Sequence, residues 1–333
     1  MNRRRALFDF ALGVVAIVAV AVLAGPRVLA AFEDTAPEQA VLAACCATLA
    51  FGFWFEGLYR ALRAVAPDMT RRILLLPYLG GVFARKLSPA GSVSFIAVTG
   101  YLLDRKTETE SSKLFGAVSA WGFVSMVGSV IVAGVGLFGL ASAGGAVVEE
   151  LLVVFAVAAT LLLVVFILAI QRNGALVGAI EWTAGGIEAL IARTWPSAGR
   201  RFAGIQLADR TERFLDAART VGEDRTNAAA ALAAACLGWA ATAGTLYFSA
   251  GAIGADISVS AAAVVVTVSG VGSILPLPGG LGGVEVALVA ALDLLAGVPT
   301  VPAAATTLLY RAMTFWLPLA VSGTGLALHR RFE

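Results

Sequence analysis

Apolar residues dominate this chain in long unbroken stretches. They lie near 7–31, 39–59, 114–140, 147–171, 228–253 and 302–328, and each covers the roughly twenty residues that a ~30 Å hydrocarbon core requires of a helix. Two further apolar segments are interrupted. The first, 73–103, carries ARKLSPAGS at its centre; the second, 257–297, carries LPLPGGLGGVEVAL, residues 275–288. The pattern predicts an all-α, polytopic membrane helical bundle: six full spans plus two re-entrant hairpins made of broken helices. It also predicts that residues 1–333 form a single integral membrane domain.

Charge decides how the interrupted segments are read. Arg3, Arg4 and Arg5 place the N-terminus in the cytoplasm, because short cytoplasmic loops collect Lys and Arg. Glu33, Asp34 and Glu38 then suit an outside loop, and Arg60, Arg63, Arg71 and Arg72 an inside one. Only if 73–103 dips in and returns does the segment 172–226, with eight arginines, also lie inside. Six crossings bring the C-terminus back to the cytoplasm, so the chain is expected to be a multi-pass protein of the cell membrane with both termini cytoplasmic. The basic start, apolar stretch and small-residue end resemble a signal peptide, but the apolar stretch from Phe10 to Gly25 and beyond is long enough to span, and it is read as the first span.

A repeat follows. Residues 39–140 (span, hairpin, span) match 228–328 in order, with an offset of 188 to 189 residues between corresponding features. The first unit starts inward and the second outward, so the repeats are expected to be inverted, a construction common among transporters. Residues 141–227 hold the fifth segment and an interfacial connector. Within it, 174–195 has an apolar helical face, and Leu207, Phe214 and Val221 recur at sevenfold spacing, as in an amphipathic helix packing on the bundle.

Composition removes several functions. The chain is 59% hydrophobic and 14% charged with a net charge of +2, and it has no basic arm with interleaved aromatics, so nucleic acid is not an expected partner. Cys45, Cys46 and Cys236 lie inside apolar runs and read as small buried apolar residues rather than as a disulfide frame or metal site. The lone histidine, His329, sits beside the basic tail, and Glu56 and the Asp104–Arg105–Lys106 cluster read as interfacial. No cofactor, metal or catalytic residue is expected. The glycines are no dinucleotide fingerprint: no strand precedes them and no Walker lysine follows.

The candidate chemistry lies at the breaks. Lipid cannot hydrogen-bond a backbone, so a helix broken at depth needs protein or a wet cavity around it. Pro276 and Pro278 stop one half-helix, and Gly279, Gly280, Gly282 and Gly283 permit the turn. Glu285 falls in the first turn of the next half-helix, where free N–H groups suit an anion. Pro89 and Gly91 repeat the break in the first hairpin. Arg311 lies inside the last span, where arginine is rare and faces a partner or cavity. Two readings of it stand: a structural ion pair with Glu285, or a cation that holds a lipid phosphate while Glu285 orients it. Arg85 and Lys86, just before the first break, either meet that phosphate or snorkel to the interface.

LPLPGGLGGVE, followed by GVPTVPAAATTLLYRAMTFWLPLAVSG, resembles the C-terminal signature of the flippase-like transmembrane family related to lysylphosphatidylglycerol synthase. KLSPAGSVSFIAVTGYLLDRKTETESSKLFGAVSAW is similar to its N-terminal counterpart. The resemblance implies the pattern's Glu and Arg at Glu285 and Arg311, and a role in moving or handling anionic lipid. GSVSFIAV lacks the acidic residue and arginine that many relatives carry after the first break, and no soluble aminoacyl- or glycosyl-transfer domain is attached. The expected function is therefore a flippase-like transporter of an anionic lipid or lipid-linked intermediate, not a synthase. The alternative is an accessory subunit or enzyme of lipid or glycolipid modification, the former with a lipid-modifying enzyme as partner.

Overall fold

The computed structural model describes residues 28, 30–33, 35–89, 91–143, 220–274 and 277–332, and every regular element in them is helical. In chain order they are α1 (Pro37–Val65), α2 (Arg71–Leu87), α3 (Gly91–Asp104), α4 (Ser111–Ala143), α5 (Arg225–Ala252), α6 (Val259–Ser269), α7 (Gly283–Ala296), α8 (Thr300–Arg311) and α9 (Leu317–Phe332). Short 3-10 turns at Gly270–Ile274 and Pro278–Gly280 lie between α6 and α7, and a π-helical turn, Ala312–Trp316, joins α8 to α9. The predicted spans at 7–31 and 147–171, and almost all of the connector, lie outside the described residues. Val221, at the connector's end, is buried against the core that includes Leu58 and Leu62.

Helices α1, α4 and α5 have 29, 33 and 28 residues, about 42 to 50 Å at 1.5 Å per residue, and each is apolar enough to cross a bilayer. Large apolar side chains such as Leu49, Val135, Phe138, Leu237 and Leu294 face outward. Water would tolerate such a surface poorly, whereas lipid favours it; this is a membrane protein. The same surface corrects one expectation. Cys45 is exposed rather than buried, because a small apolar residue on a span needs no burial when its outer face meets lipid, while Cys46 packs beside Gly244.

α1 and α5 form the central antiparallel pair. Gln39 lies by Gly251, Cys46 by Gly244 and Trp54 by Gly238, and the Ala36 N–H donates to the Ala252 carbonyl at 2.9 Å. Small residues allow this approach where no hydrophobic drive brings helices together. Asp224 caps α5, its carboxylate accepting from the Asn227 N–H at 3.1 Å.

Each interrupted segment folds back on itself. In the first, Gly81 of α2 packs on Phe95 and Thr99 of α3, and Gly80 on Val98 and Leu102. In the second, the Gly272 backbone lies against that of Gly283 and Val284. The regular helices of these hairpins have 17, 14, 11 and 14 residues, about 16 to 26 Å long, less than a full crossing. Pro278–Ala296 is long and apolar enough to count as a span, yet Gly279, at φ 57°, breaks its start and leaves α7 as the regular part.

The hairpins enter from opposite ends of the α1–α5 pair. Arg71, at the start of α2, binds Glu56 near the C-terminal end of α1, whereas Ile257 and Val298, flanking the second hairpin, join a core with Leu246 and Ala250 near the C-terminal end of α5. The second hairpin also packs, through α6, on Gly136 and Gly139 of α4, and the first, through Leu79 and Phe83 of α2, on Gly325 and Gly323 of α9. Their broken tips meet between these helices.

A side chain at Gly272 would sit 2.3 Å from the Gly283 carbonyl oxygen, backbone that cannot yield, whereas Gly52 has open space around it. Gly272→Val is expected to lower the melting temperature of the detergent-solubilised protein by several degrees, since overpacking costs about 1–3 kcal/mol. Gly52→Ala leaves it unchanged or raises it, as alanine is the better helix former.

Candidate functional site: a cationic cavity between two broken helices

The site forms where α7 begins. Gly279, Gly280 and Gly282 all have positive φ (57°, 68° and 86°), a conformation glycine adopts without penalty. That turn leads straight into the first turn of α7, which carries Glu285. Glu285, 2% exposed, reaches back so that its Oε2 accepts from the Gly282 N–H at 2.7 Å. Its Oε1 accepts from Arg311 Nε at 2.6 Å, and Arg311 Nη2 donates to the Gly279 carbonyl at 3.1 Å. The Arg311 side chain is 8% exposed. One carboxylate thus ties the last helical run to the glycine turn.

Phe315 lies beneath this pair. Arg311 Cζ is 4.8 Å from its ring centroid and Lys86 Nζ is 5.2 Å away. Lys86 Nζ donates to the Thr314 carbonyl at 2.9 Å, within the π-helical turn. That acceptor is available because Pro318, four residues on, has no N–H to offer it. Single π turns inside α-helices recur at functional sites. The tip of the first hairpin is therefore joined to the last helical run, and the Lys86 carbonyl lies against Gly279.

A cavity of about 460 Å³ opens between the tips. Arg85, Lys86 and Arg311 line it, together with Pro89, Gly91, Gly279 and Gly280. Trp54, Trp121 and Trp239 form its aromatic wall, with ring centroids 6.2 Å (Trp54–Trp121) and 5.4 Å (Trp54–Trp239) apart in edge-to-face contact. Ser92, Ser125 and Thr242 add hydroxyls. Arg85 is exposed into this space and makes no hydrogen bond or ion pair among the described residues. No Asp or Glu side chain lines the cavity among the described residues.

The structure brings together most of the residues singled out from the sequence. Glu285, Arg311, Gly279 and Gly282 share one hydrogen-bonded unit; Arg85, Lys86, Pro89, Gly91 and Gly280 border the same cavity; Pro278 is buried at the turn, and Gly283 packs on Gly272. Pro276 lies outside the described residues. The Thr314 carbonyl, Phe315 and the three tryptophans were not anticipated. Pro318 inside a span was the available signal for the first. For Trp239 it was a position midway along an apolar run, away from the interfacial belt where Trp usually collects; Trp54 and Trp121, nearer the ends of theirs, carried no such signal.

Fold and site define an all-helical membrane protein whose paired helical hairpins face a cationic cavity. The chain matches the family described as the lysylphosphatidylglycerol synthase TM region over residues 8–322, and it belongs to that family. No curated protein matches the chain.

Arg311→Met leaves the Glu285 carboxylate buried without its cation, and breaking such a pair costs about 3–5 kcal/mol. The variant is expected to melt well below the wild type in detergent, and Glu285→Leu combined with Arg311→Met to recover more than half of that loss.

Proposed function

We propose that this protein moves an anionic lipid between the leaflets of the cell membrane, its headgroup held in the cavity while the acyl chains stay in the bilayer. The observation that carries this reading is the placement of Arg85, Lys86 and Arg311 around one cavity where two broken helices meet inside an apolar bundle. Charge at such depth is costly and marks substrate paths in membrane proteins. Family membership supports a role in lipid modification or flipping.

In this reading the chain crosses the membrane six times with both termini cytoplasmic, and the two hairpins re-enter from opposite faces. Residues 39–140 and 228–328 form the inverted repeat, an arrangement supported by the reciprocal packing of each hairpin on the other unit's closing helix. Glu285 and Arg311 keep the second tip rigid. Arg85 and Lys86 receive the headgroup from the first tip, and the Lys86 bond to the Thr314 carbonyl holds that tip on the last helical run until a phosphate competes for the ammonium. Half-helix breaks around a central site are the means by which inverted-repeat transporters alternate access.

The test is lipid movement in proteoliposomes, read by dithionite quenching of a fluorescently labelled phosphatidylglycerol. The double variant Arg85→Gln/Lys86→Gln is expected to fold normally and to move lipid at least about tenfold more slowly, since truncating a buried charged contact costs about 2–5 kcal/mol. Movement at the wild-type rate would remove these residues from the mechanism.

A further inference from the structure

The charges around the cavity do not cancel among the described residues. Three cations, Arg85, Lys86 and Arg311, meet a single carboxylate, Glu285, whose two oxygens accept from Arg311 and from the Gly282 N–H. Lys86 spends one of its three donors on a carbonyl, which carries no charge. Arg85 has no bonded partner among the described residues and is exposed into the same space. Two cations thus face one cavity inside an apolar bundle, and an uncompensated charge there is expensive.

The countercharge that completes such a site is close to two negative units. A phosphodiester headgroup brings one. A terminal phosphate brings about 1.5 to 2 at neutral pH, with three acceptor oxygens, and matches the forked donors of an arginine. An aminoacylated phosphodiester brings ammonium groups that outnumber or cancel its phosphate, and so sets like charges against Arg85 and Lys86.

Resting on the lipid-handling reading above, we propose that the cavity selects lipids whose headgroup ends in a phosphate monoester or diphosphate, and disfavours aminoacylated phosphatidylglycerol. Arg85 and Lys86 are the residues that set this selection, whereas Arg311 holds the site's shape. The family's description refers to an aminoacylated lipid; the charges in this cavity favour the opposite kind of headgroup.

The test titrates the full chain, purified in detergent, with short-chain phosphatidic acid, phosphatidylglycerol and lysylphosphatidylglycerol. Fluorescence of the cavity-lining Trp54, Trp121 and Trp239 and native mass spectrometry give two readouts. Phosphatidic acid is expected to bind at least tenfold tighter than phosphatidylglycerol, with the lysyl lipid weakest. In Arg85→Gln/Lys86→Gln that preference falls below threefold, whereas Arg72→Gln, exposed at the start of α2, leaves it unchanged. Inorganic phosphate at equal concentration is expected not to displace phosphatidic acid; displacement would assign the site to a free anion and overturn the proposal. Lysyl lipid bound as tightly as phosphatidic acid would overturn the headgroup assignment and leave lipid handling standing. Lipid binding indifferent to Arg85 and Lys86 would overturn both. The wild-type rank order decides the matter even if the double variant fails to fold.

Discussion

The carboxylate of Glu285 holds the second broken helix in place, and the cavity takes its shape from that contact. A helix that starts among apolar helices exposes N–H groups that apolar surroundings cannot satisfy. Glu285 satisfies the one at Gly282, and its remaining oxygen fixes Arg311 on a different helical run. Arg311 in turn bonds the Gly279 carbonyl, closing a ring of contacts around the glycine turn. Burial makes the arrangement demanding: each partner is tolerable only while the other is present. A turn with three glycines at positive φ, flexible alone, becomes a fixed wall.

Around that wall the helices are arranged to let two hairpins approach from opposite ends. The α1–α5 pair supplies a long scaffold whose small residues bring its backbones close. Glycines on α4 and α9 do the same for the hairpins that lean on them. The last helical run does two jobs through one local irregularity. Pro318 leaves the Thr314 carbonyl without its usual donor, the helix relaxes into a π turn, and Lys86 of the first hairpin takes the acceptor. Phe315, in the same turn, lies within reach of both Lys86 and Arg311. A defect in one helix thereby becomes the joint between the first hairpin and the last helical run.

Much of this was legible in the sequence because hydropathy and helix breakers act locally. The apolar runs at 39–59, 114–140 and 228–253 became α1, α4 and α5 with small extensions, and the breaks at Pro89 and Pro278 fell where hairpins turn. Glu285 and Arg311 stood out because charge is rare in apolar runs. What the sequence did not reveal depends on distance between segments. Nothing local tells that Lys86 meets Thr314 across 228 positions, nor that Trp54, Trp121 and Trp239 converge from three helices. Outward-facing Cys45 escaped for another reason: a span has an apolar outer face as well as an apolar inner one, so hydropathy cannot separate them.

A cavity shared by two tips requires the two hairpins to dip in from opposite faces. Single cysteines placed at Arg72, Lys106, Asp256 and Thr300 in a cysteine-free background, probed in sealed vesicles with a membrane-impermeant maleimide, test it directly. Positions 72 and 106 are expected to react from one side, and 256 and 300 from the other. Positions 72 and 106 reacting from opposite sides would mean that the first hairpin crosses the membrane, and the shared cavity between two re-entrant tips would be lost.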